Sequence, residues 1–432
     1  MSDAAQSSLL DLVSPRTGIV RRLERISKSR REPELPIVYR SILANFDYRR
    51  TDPDERIGAG KGDSVLQAQR SAIGEALERY CSSRVDARAL CFASASELTA
   101  PAIEPAALVL YSTEQYARLP YRRPEADMPL TWIPGSSLSG EPRYLPASMV
   151  YLGYQGAGGS EIFTMSTSNG LAAGPDLDSA IRAGVLELLE RDAFLVTWIN
   201  RLPAPEIELD SLTGPASQAI RHYARHGVEV RVFRLLSGLP VHACMAVGFD
   251  RERSMPAAVV GLGCDLDPVA AVRHAVMELA QVRPGMVHRC WERPPSLQRY
   301  DEVRTLEDHA LFMAMPEHLC EFDFLMNGAK RVPLSALDNY ATNNARTDVE
   351  TCGRSLAAAR IELSYVDLTT ADLTEFPVKV VRVLATHLQP MHFGFGYERL
   401  GGERLFTIAR ELGSAMNRRT ESELNRCPHP MG

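Results

Sequence analysis

The sequence predicts a mixed α/β (α+β) fold, in which short apolar strands alternate with amphipathic or buried helices. Two patterns predict it. Apolar residues recur at every second position in "VEVRVFRLL" (228–236), and they recur three and four residues apart in "SAIGEALERY" (71–80). The chain has 432 residues, which is enough for two or three domains or for one large interwoven domain.

Proline and glycine punctuate the first half of the chain. The prolines of residues 1–56 predict an irregular N-terminal segment that packs on the core. A glycine-rich turn, "GAGKGDS" (58–64), then leads into a helix at 66–80. Short apolar runs between 95 and 160 predict strands and loops, and a second helix is predicted at 178–198 with Asp178 as its N-cap.

The second half alternates more regularly. A helix in "QAIRHYARHG" is predicted to end at Gly227, and a third helix is predicted at 268–283. The polar, weakly patterned segment 300–350 is predicted to be an insertion or a mobile surface. Further strands are predicted in "VHACMAVGF", "AAVVGLGCD", "IELSYVDLT" and "VKVVRVLAT", and the segment "ESELNRCPHPMG" is predicted to be a short extended tail.

Composition excludes several classes of function. The net charge is −6, and the single short basic run "SKSRRE" is read as a solvated loop, so we expect no nucleic-acid partner. We expect no membrane span, because no run of about 18 apolar residues exists, and no secretory signal. The eight cysteines form no CxxC pair, which suits reduced thiols in the cytoplasm and predicts no structural zinc site.

The first helix carries two carboxylates one turn apart. Glu75, Glu78 and Arg79 share one face with Ser71, opposite an apolar face. The Glu75–Arg79 pair contributes only about 0.3–0.5 kcal/mol. Taken alone, this helix is adequately explained as an ordinary solvated one.

The second helix repeats the spacing in an apolar setting. Glu187 and Glu190 lie on a helix that is apolar nearly all round, so it is predicted to be buried. Burying a carboxylate costs several kcal/mol, and such a pair stays ionised only beside cations. Arg191 supplies one positive charge, which compensates only one of the two carboxylates.

The third helix places Arg273, Glu278 and Gln281 on one side. Carboxylates and arginines from separate helices suit Mg²⁺ bound to a polyphosphate, because Mg²⁺ takes a few carboxylates together with phosphate oxygens. Three ordinary structural helices remain an equal alternative on this basis. "GAGKGDS" does not fit the P-loop pattern, which leaves Lys61 either reaching a phosphate or facing solvent.

Taken together, the motifs resemble the YcaO family. The segments "GKG", "SAIGEALERY", "SNGLAAG", "AGVLELLERDAF" and "AVRHAVMELAQ" occur in the family's order and spacing. The resemblance is strong over about 55–285. It is looser over 380–432, where "HFGFGYERLGGERLF" and "LNRCPHPMG" look like the C-terminal part of azoline-forming members.

This resemblance implies a YcaO-type fold with ATP and Mg²⁺ bound between the acidic helices and no P-loop. It implies a catalytic domain over 57–400, followed by a C-terminal helix and a proline-containing tail (401–432) that reaches the active site. The implied enzyme is an ATP- and Mg²⁺-dependent peptide cyclodehydratase. It would phosphorylate a backbone amide oxygen of a ribosomally made precursor peptide, and so form a thiazoline or oxazoline from Cys, Ser or Thr.

Site residues follow from matching the motifs position by position. The implied metal ligands are Glu75, Glu78, Glu187 and Glu190. These four also belong to the implied nucleotide site, which is completed by Ser71, Arg79, Asn169, Arg191, Arg273, Glu278 and Gln281. The implied catalytic tail residues are Pro428, Pro430 and Gly432, although azoline-forming members commonly end in proline.

The resemblance also implies partners. We expect a precursor peptide, a separate leader-binding partner similar to ubiquitin-activating enzymes, a dehydrogenase in the same complex, and a homodimer. Two alternatives stay open. The first is a peptide thioamide or amidine synthetase, because the acidic helices handle ATP and not the nucleophile. The second is a non-catalytic or accessory protein, such as a factor for methylthiolation of a ribosomal protein.

Overall fold

The structure is a computed structural model that describes residues 8–44, 57–156, 159–294, 296–326, 330–413 and 420–432. The strands are β1 (Val20–Arg25), β2 (Ile37–Leu43), β3 (Ile57–Gly62), β4 (Cys91–Ala93), β5 (Leu130–Ser137), β6 (Pro142–Pro146), β7 (Leu171–Gly174), β8 (Glu206–Glu208), β9 (Val228–Leu235), β10 (His242–Asp250), β11 (Ala258–Asp265), β12 (Arg331–Pro333), β13 (Leu363–Asp367) and β14 (Lys379–Ala385).

The longer helices are α1 (Val65–Ser82), α2 (Leu177–Asn200), α3 (Gly214–Arg225), α4 (Pro268–Glu292), α5 (Leu306–Met313), α6 (Ala345–Ala358) and α7 (Arg404–Glu411). Four-residue helices occur at Ala106–Val109, Thr113–Tyr116, Ala147–Val150 and Asp323–Met326. Among the described residues, no helix is both long enough and apolar enough to cross a membrane.

The described strands form three sheets, which confirms the predicted mixed α+β class. Their orders are β1-β2-β3, then β11-β10-β9-β8-β12, then β4-β5-β13-β14-β7 with β6 paired to β5. The pairs are antiparallel except β8 with β12, which is parallel. Helix α1 packs on β3 and β7, α2 packs on β7 and β14 and reaches β10 and β11, and α4 packs on β11. The three acidic helices therefore meet where the sheets converge.

Glycines let two of these helices lie directly against a strand. A Cβ atom on Gly60 of β3 would stand 2.0 Å from the backbone nitrogen of Ala72 in α1. A Cβ atom on Gly261 of β11 would stand 2.2 Å from that of Leu279 in α4. No side chain fits in either place, so glycine is required for the close approach of helix and strand.

The N-terminal region differs from its prediction. Residues 20–25 and 37–43 form strands β1 and β2, so the described part of 1–56 is not irregular, while Pro53 lies outside the described residues. The predicted glycine-rich turn is wrong as well, because Ile57–Gly62 is strand β3, paired with β2. Alternating glycines resemble a turn in sequence, whereas here they form the face that a helix covers.

Two helix boundaries were also predicted wrongly. Asp176, not Asp178, caps α2, and its side chain accepts a hydrogen bond from the backbone N–H of Ser179. Helix α4 continues through Pro284 to Glu292. The strands β9, β10, β11, β13 and β14 are confirmed, as is the end of α3 before Gly227, whose φ is +80°.

The segment 300–350 contributes to the core. Phe312 on α5 and Phe322 are completely buried, and β12 pairs with β8. The prediction of an insertion or mobile surface is therefore wrong for these residues; residues 327–329 lie outside the described part. Short elements with few apolar residues give no periodic signal in the sequence, although several of them place a large side chain in the core, among them Phe312, Phe322 and Leu334.

Candidate active site

A cavity of about 670 Å³ lies where α1, α2 and α4 meet. The wall also includes β3, β7 and the last two residues of the chain. The predicted site residues that line it are Ser71, Glu75, Glu78, Arg79, Glu187, Glu190, Arg191, Glu278, Gln281 and Gly432. The structure thus brings most of the predicted nucleotide site into a single cavity.

The carboxylates of α1 are held by strand backbone groups. Glu75 accepts a hydrogen bond of 2.7 Å from the N–H of Ala59 in β3, and its other oxygen accepts one of 2.9 Å from Arg79. Glu78 accepts one of 2.8 Å from the N–H of Ala173 in β7. Burial, together with the charges of Glu75 and Glu187, raises the pKa of Glu78 well above its usual range.

The carboxylates of α2 share a single arginine. Glu187 accepts a hydrogen bond of 3.1 Å from the N–H of Gly170, and the Arg191 guanidinium lies 3.8 Å from Glu187 and 3.9 Å from Glu190. Burial raises the pKa of Glu187 despite Arg191. Burial and the nearby Glu278 raise the pKa of Glu190 to about 8.

Helix α4 supplies the third wall. Glu278 lies 3.3 Å from the ammonium group of Lys61 in β3, and it accepts a long hydrogen bond of 3.5 Å from the N–H of Leu262 in β11. Gln281 lies on the same side of the helix and also lines the cavity. Lys61 thus faces the cavity beside Glu278, and its predicted contact with a phosphate stays a prediction.

The lining residues suit a metal ion that binds together with the phosphate groups of a nucleotide. Five carboxylates line the cavity, and the pKa values of Glu78, Glu187 and Glu190 are raised, so the cationic side chains of the wall do not fully compensate these buried carboxylates. Within the described ranges, no three acidic, histidine or cysteine side chains are close enough to hold a metal ion by themselves. Mg²⁺ binds through one or two carboxylates plus substrate phosphates, so this donor set suits a metal–nucleotide complex.

The positive groups of the cavity suit phosphate oxygens. Lys61, Arg70, Arg79 and Arg191 all line the wall. Arginine matches a phosphate with two parallel hydrogen bonds, and lysine acts as a point charge. Sequence reasoning missed Arg70, although it precedes Glu78 by two helical turns and so shares its face.

Other predicted residues lie elsewhere. Arg273 donates a hydrogen bond to Asp63 and is not part of the cavity lining. Asn169 lines a smaller neighbouring cavity. Pro428 and Pro430 are buried within the tail, whereas Met431 and Gly432 line the cavity.

Three buried histidines fix the tail, and we call them the histidine cluster: His309, His392 and His429. The N–H of Gly394 donates to Nε2 of His309, so its Nδ1 carries the proton and donates to the carbonyl of His429. Nε2 of His429 in turn donates to the carbonyl of His392. The rings of His309 and His429 stack at 3.9 Å.

Gly432 lies in close contact with helix α5. A Cβ atom on Gly432 would stand 2.2 Å from the Cβ atom of Ala310 in α5. Proline at this position would meet the same contact.

A family model described as YcaO cyclodehydratase, binding ATP and Mg²⁺, matches residues 59–389. The chain belongs to the YcaO family. The resemblance and the predicted cofactors, ATP and Mg²⁺, are thereby confirmed. Membership of the YcaO family supports an ATP-dependent enzyme of cyclodehydratase type.

Two relatives of this YcaO chain are uncharacterized proteins. The first, from Methanothermobacter thermautotrophicus, is 29% identical over 354 residues, which are 80% of this chain and 84% of the relative. The second, from Rhizobium leguminosarum bv. trifolii, is named for its position in the tfuA 3′ region. It is 28% identical over 298 residues, 65% of this chain and 66% of the relative.

Solved structures share the fold. A heterocyclase in complex with substrate and cofactor superimposes with a TM-score of 0.82 at 26% identity and covers 99% of this chain, which spans only 57% of that heterocyclase. YcaO from Methanopyrus kandleri bound with AMPPCP and Mg²⁺ gives 0.64 at 23% identity, over 90% and 91% of the two chains. The E. coli microcin synthetase McbBCD complex with bound pro-MccB17 gives 0.59 at 19% identity, over 87% and 88%.

Proposed function

We propose that this chain is an ATP-dependent cyclodehydratase that forms thiazolines or oxazolines on a ribosomally made precursor peptide. The side chain of a Cys, Ser or Thr adds to the preceding backbone carbonyl, and the resulting oxyanion is phosphorylated. Loss of phosphate and a proton then leaves the azoline ring. ATP supplies the phosphoryl group that makes the amide oxygen a leaving group.

The cavity residues have defined tasks in this proposal. The carboxylates Glu75, Glu78, Glu187 and Glu190 would hold Mg²⁺ with the phosphates, while Arg79, Arg191 and Lys61 would neutralise phosphate charge. Phosphoryl transfer demands chiefly positioning and charge stabilisation, so a fixed array of charged groups is adequate catalytic equipment.

The observation that carries the proposal is the position of the tail. Met431 and Gly432 line the same cavity as the acidic helices, and the histidine cluster fixes the residues before them. In azoline-forming members the tail is expected at the reacting amide. This placement supports a tail that acts beside the nucleotide and the peptide.

A peptide thioamide synthetase is the second candidate. It is favoured by the relative in the tfuA 3′ region of Rhizobium leguminosarum, because a TfuA-type neighbour would accompany thioamide formation. External sulfide would then replace the internal nucleophile, and the same cavity would bind ATP.

Product mass separates the two candidates. The experiment incubates the chain with a Cys-, Ser- and Thr-containing precursor peptide, ATP and Mg²⁺, with and without sulfide. For the cyclodehydratase we expect the peptide to lose one water per ring without added sulfide. Replacement of an amide oxygen by sulfur, dependent on sulfide, would refute cyclodehydration and support the second candidate.

Partners are part of the proposal. We infer a separate leader-binding protein similar to ubiquitin-activating enzymes, a dehydrogenase that oxidises azolines, and a homodimer of this chain. The E. coli McbBCD complex, which holds a pro-peptide, supports a multi-protein assembly. Light scattering of the purified chain tests the homodimer, and a monomer at working concentration would contradict it.

A further inference from the structure

A second, smaller cavity lies beside the nucleotide cavity. Its volume is about 60 Å³, several times the roughly 10–15 Å³ that one water requires. Residues adjacent in sequence line the two cavities: Ser168 and Glu187 line the larger one, while Asn169 and Leu188 line the smaller one.

Two buried arginines line this smaller cavity. Arg382 on β14 is 6% exposed, and Arg399 is 2% exposed. One guanidinium nitrogen of Arg382 donates to the carbonyl of Thr167 at 2.9 Å, but its Nε has no partner. Nε and Nη1 of Arg399 are both buried without partners.

Little negative charge compensates the pair. The titratable groups near Arg399 include three tyrosines and His392, and the Arg399 guanidinium stacks 4.1 Å from the ring centre of Tyr111. Among the residues that the structure describes, Glu187 is the acidic group that acts on Arg382, and Glu187 also interacts with Arg191 and the N–H of Gly170. Burial lowers the pKa of Arg382 to about 10 and also lowers the pKa of Arg399.

Such a pair is costly unless an anion completes it. Each buried, unpaired guanidinium carries a desolvation penalty, and two in one cavity repel each other. Neutral hydrogen-bonding groups surround them: Ser148, Thr164 and the Asn169 amide also line the cavity. Guanidinium groups with hydroxyl and amide groups suit an oxyanion that has many acceptor oxygens.

We propose that this smaller cavity is a subsite for a tetrahedral oxyanion, and that its ligand is inorganic phosphate. The choice of phosphate rests on the proposed function, in which phosphate leaves the adjoining nucleotide cavity after the ring closes. The cavity is far too small for a nucleotide, and the unpartnered guanidinium nitrogens of Arg382 and Arg399 are donors of the kind that bind phosphate.

The test is a calorimetric titration of inorganic phosphate into the full chain. Mg²⁺ and a non-hydrolysable ATP analogue are kept saturating, so the larger cavity is occupied. We expect one phosphate per chain, and we expect Arg382→Met and Arg399→Met each to weaken binding roughly tenfold or more. Arg251→Met, which changes an exposed arginine on the surface, should bind phosphate as the parent does.

Further measurements test whether the binding is specific for phosphate and depends on the two arginines. Sulfate should compete with phosphate, whereas chloride at equal ionic strength should not. Phosphate should raise the melting temperature of the parent but not of the two methionine variants, and Arg399→Lys keeps the charge if a methionine variant fails to fold. Since no turnover is measured, failure of the proposed function would leave this result unaffected.

Three outcomes would overturn the subsite. The parent could take up no phosphate once the larger cavity is filled, or both methionine variants could bind phosphate as tightly as the parent. Acetate binding as tightly as phosphate would show a carboxylate site instead, one fitted to an acidic residue of a peptide.

Discussion

Glu190→Gln should stabilise the metal-free protein while abolishing its use of ATP. The carboxyl group is 13% exposed, and burial with the neighbouring Glu278 raises its pKa to about 8. Between about pH 4.5 and about pH 8 the folded chain therefore keeps a proton that the unfolded chain has lost. The stability contributed by this group is complete below that window and is lost as the pH rises through it.

The magnitude follows from the size of the pKa change. A rise from 4.5 to about 8 corresponds to about 5 kcal/mol at most, because each pH unit contributes about 1.4 kcal/mol. Glutamine cannot ionise but keeps the shape, so Glu190→Gln should exceed the parent in stability by about 2–5 kcal/mol above pH 8. Saturating Mg²⁺ and nucleotide should narrow or reverse this stability difference, because we expect the parent to bind them more tightly than the variant does.

Urea unfolding in a chelator, from about pH 5 to about pH 9, measures this effect. Glu229→Gln serves as the control, because Glu229 is exposed on β9, far along the chain from the acidic helices. A Glu190→Gln variant no more stable than the parent at the alkaline end would contradict a raised pKa of Glu190. An equal gain in stability for Glu229→Gln would contradict it as well.

Three further predictions concern the tail and the packing of α1. Burial lowers the pKa of His309 to about 4, so between about pH 6.5 and about pH 4 the unfolded chain holds a proton that the folded chain does not. The free energy of unfolding should therefore fall by about 3 kcal/mol as the pH drops through this range. Urea unfolding of His309→Phe should show a weaker dependence of this free energy on pH. Gly432→Ala should displace the tail through its contact with Ala310, and so reduce the rate of peptide modification at least about tenfold with unchanged nucleotide affinity. Adding Ala310→Gly should restore the rate of peptide modification. An unchanged rate in Gly432→Ala would contradict a role of the tail. Gly60→Ala should lower the free energy of unfolding by about 1–3 kcal/mol and weaken nucleotide binding, because the added methyl group pushes α1 away from β3. Gly285→Ala serves as the control: open space surrounds Gly285, so its melting temperature should be unchanged or higher.

The acidic helices could be predicted because helical spacing is a local property. Glu187 and Glu190 occur on a helix apolar on nearly every side, and this pattern alone indicates buried charge. The backbone partners of the carboxylates could not be predicted. Ala59 and Ala173 come from strands whose packing depends on residues far away in the sequence.

The sequence could not predict which cavity each of two neighbouring residues in an irregular segment lines. Ser168 lines the larger cavity and Asn169 the smaller one, and no spacing rule separates two neighbours in an irregular segment. Arg273 shares a helix face with Glu278, yet Asp63 from a different part of the chain pairs with it. Long-range ion pairs of this kind leave no local pattern.

The most direct measurement is calorimetric binding of a non-hydrolysable ATP analogue to the parent, Glu187→Gln and Glu190→Gln in the presence of Mg²⁺. If the acidic helices hold the metal–nucleotide complex, the parent binds it and both variants lose roughly tenfold or more in affinity while their folds stay intact. Two folded variants that bind the analogue as tightly as the parent would show that these carboxylates are structural, and the nucleotide site would lie elsewhere.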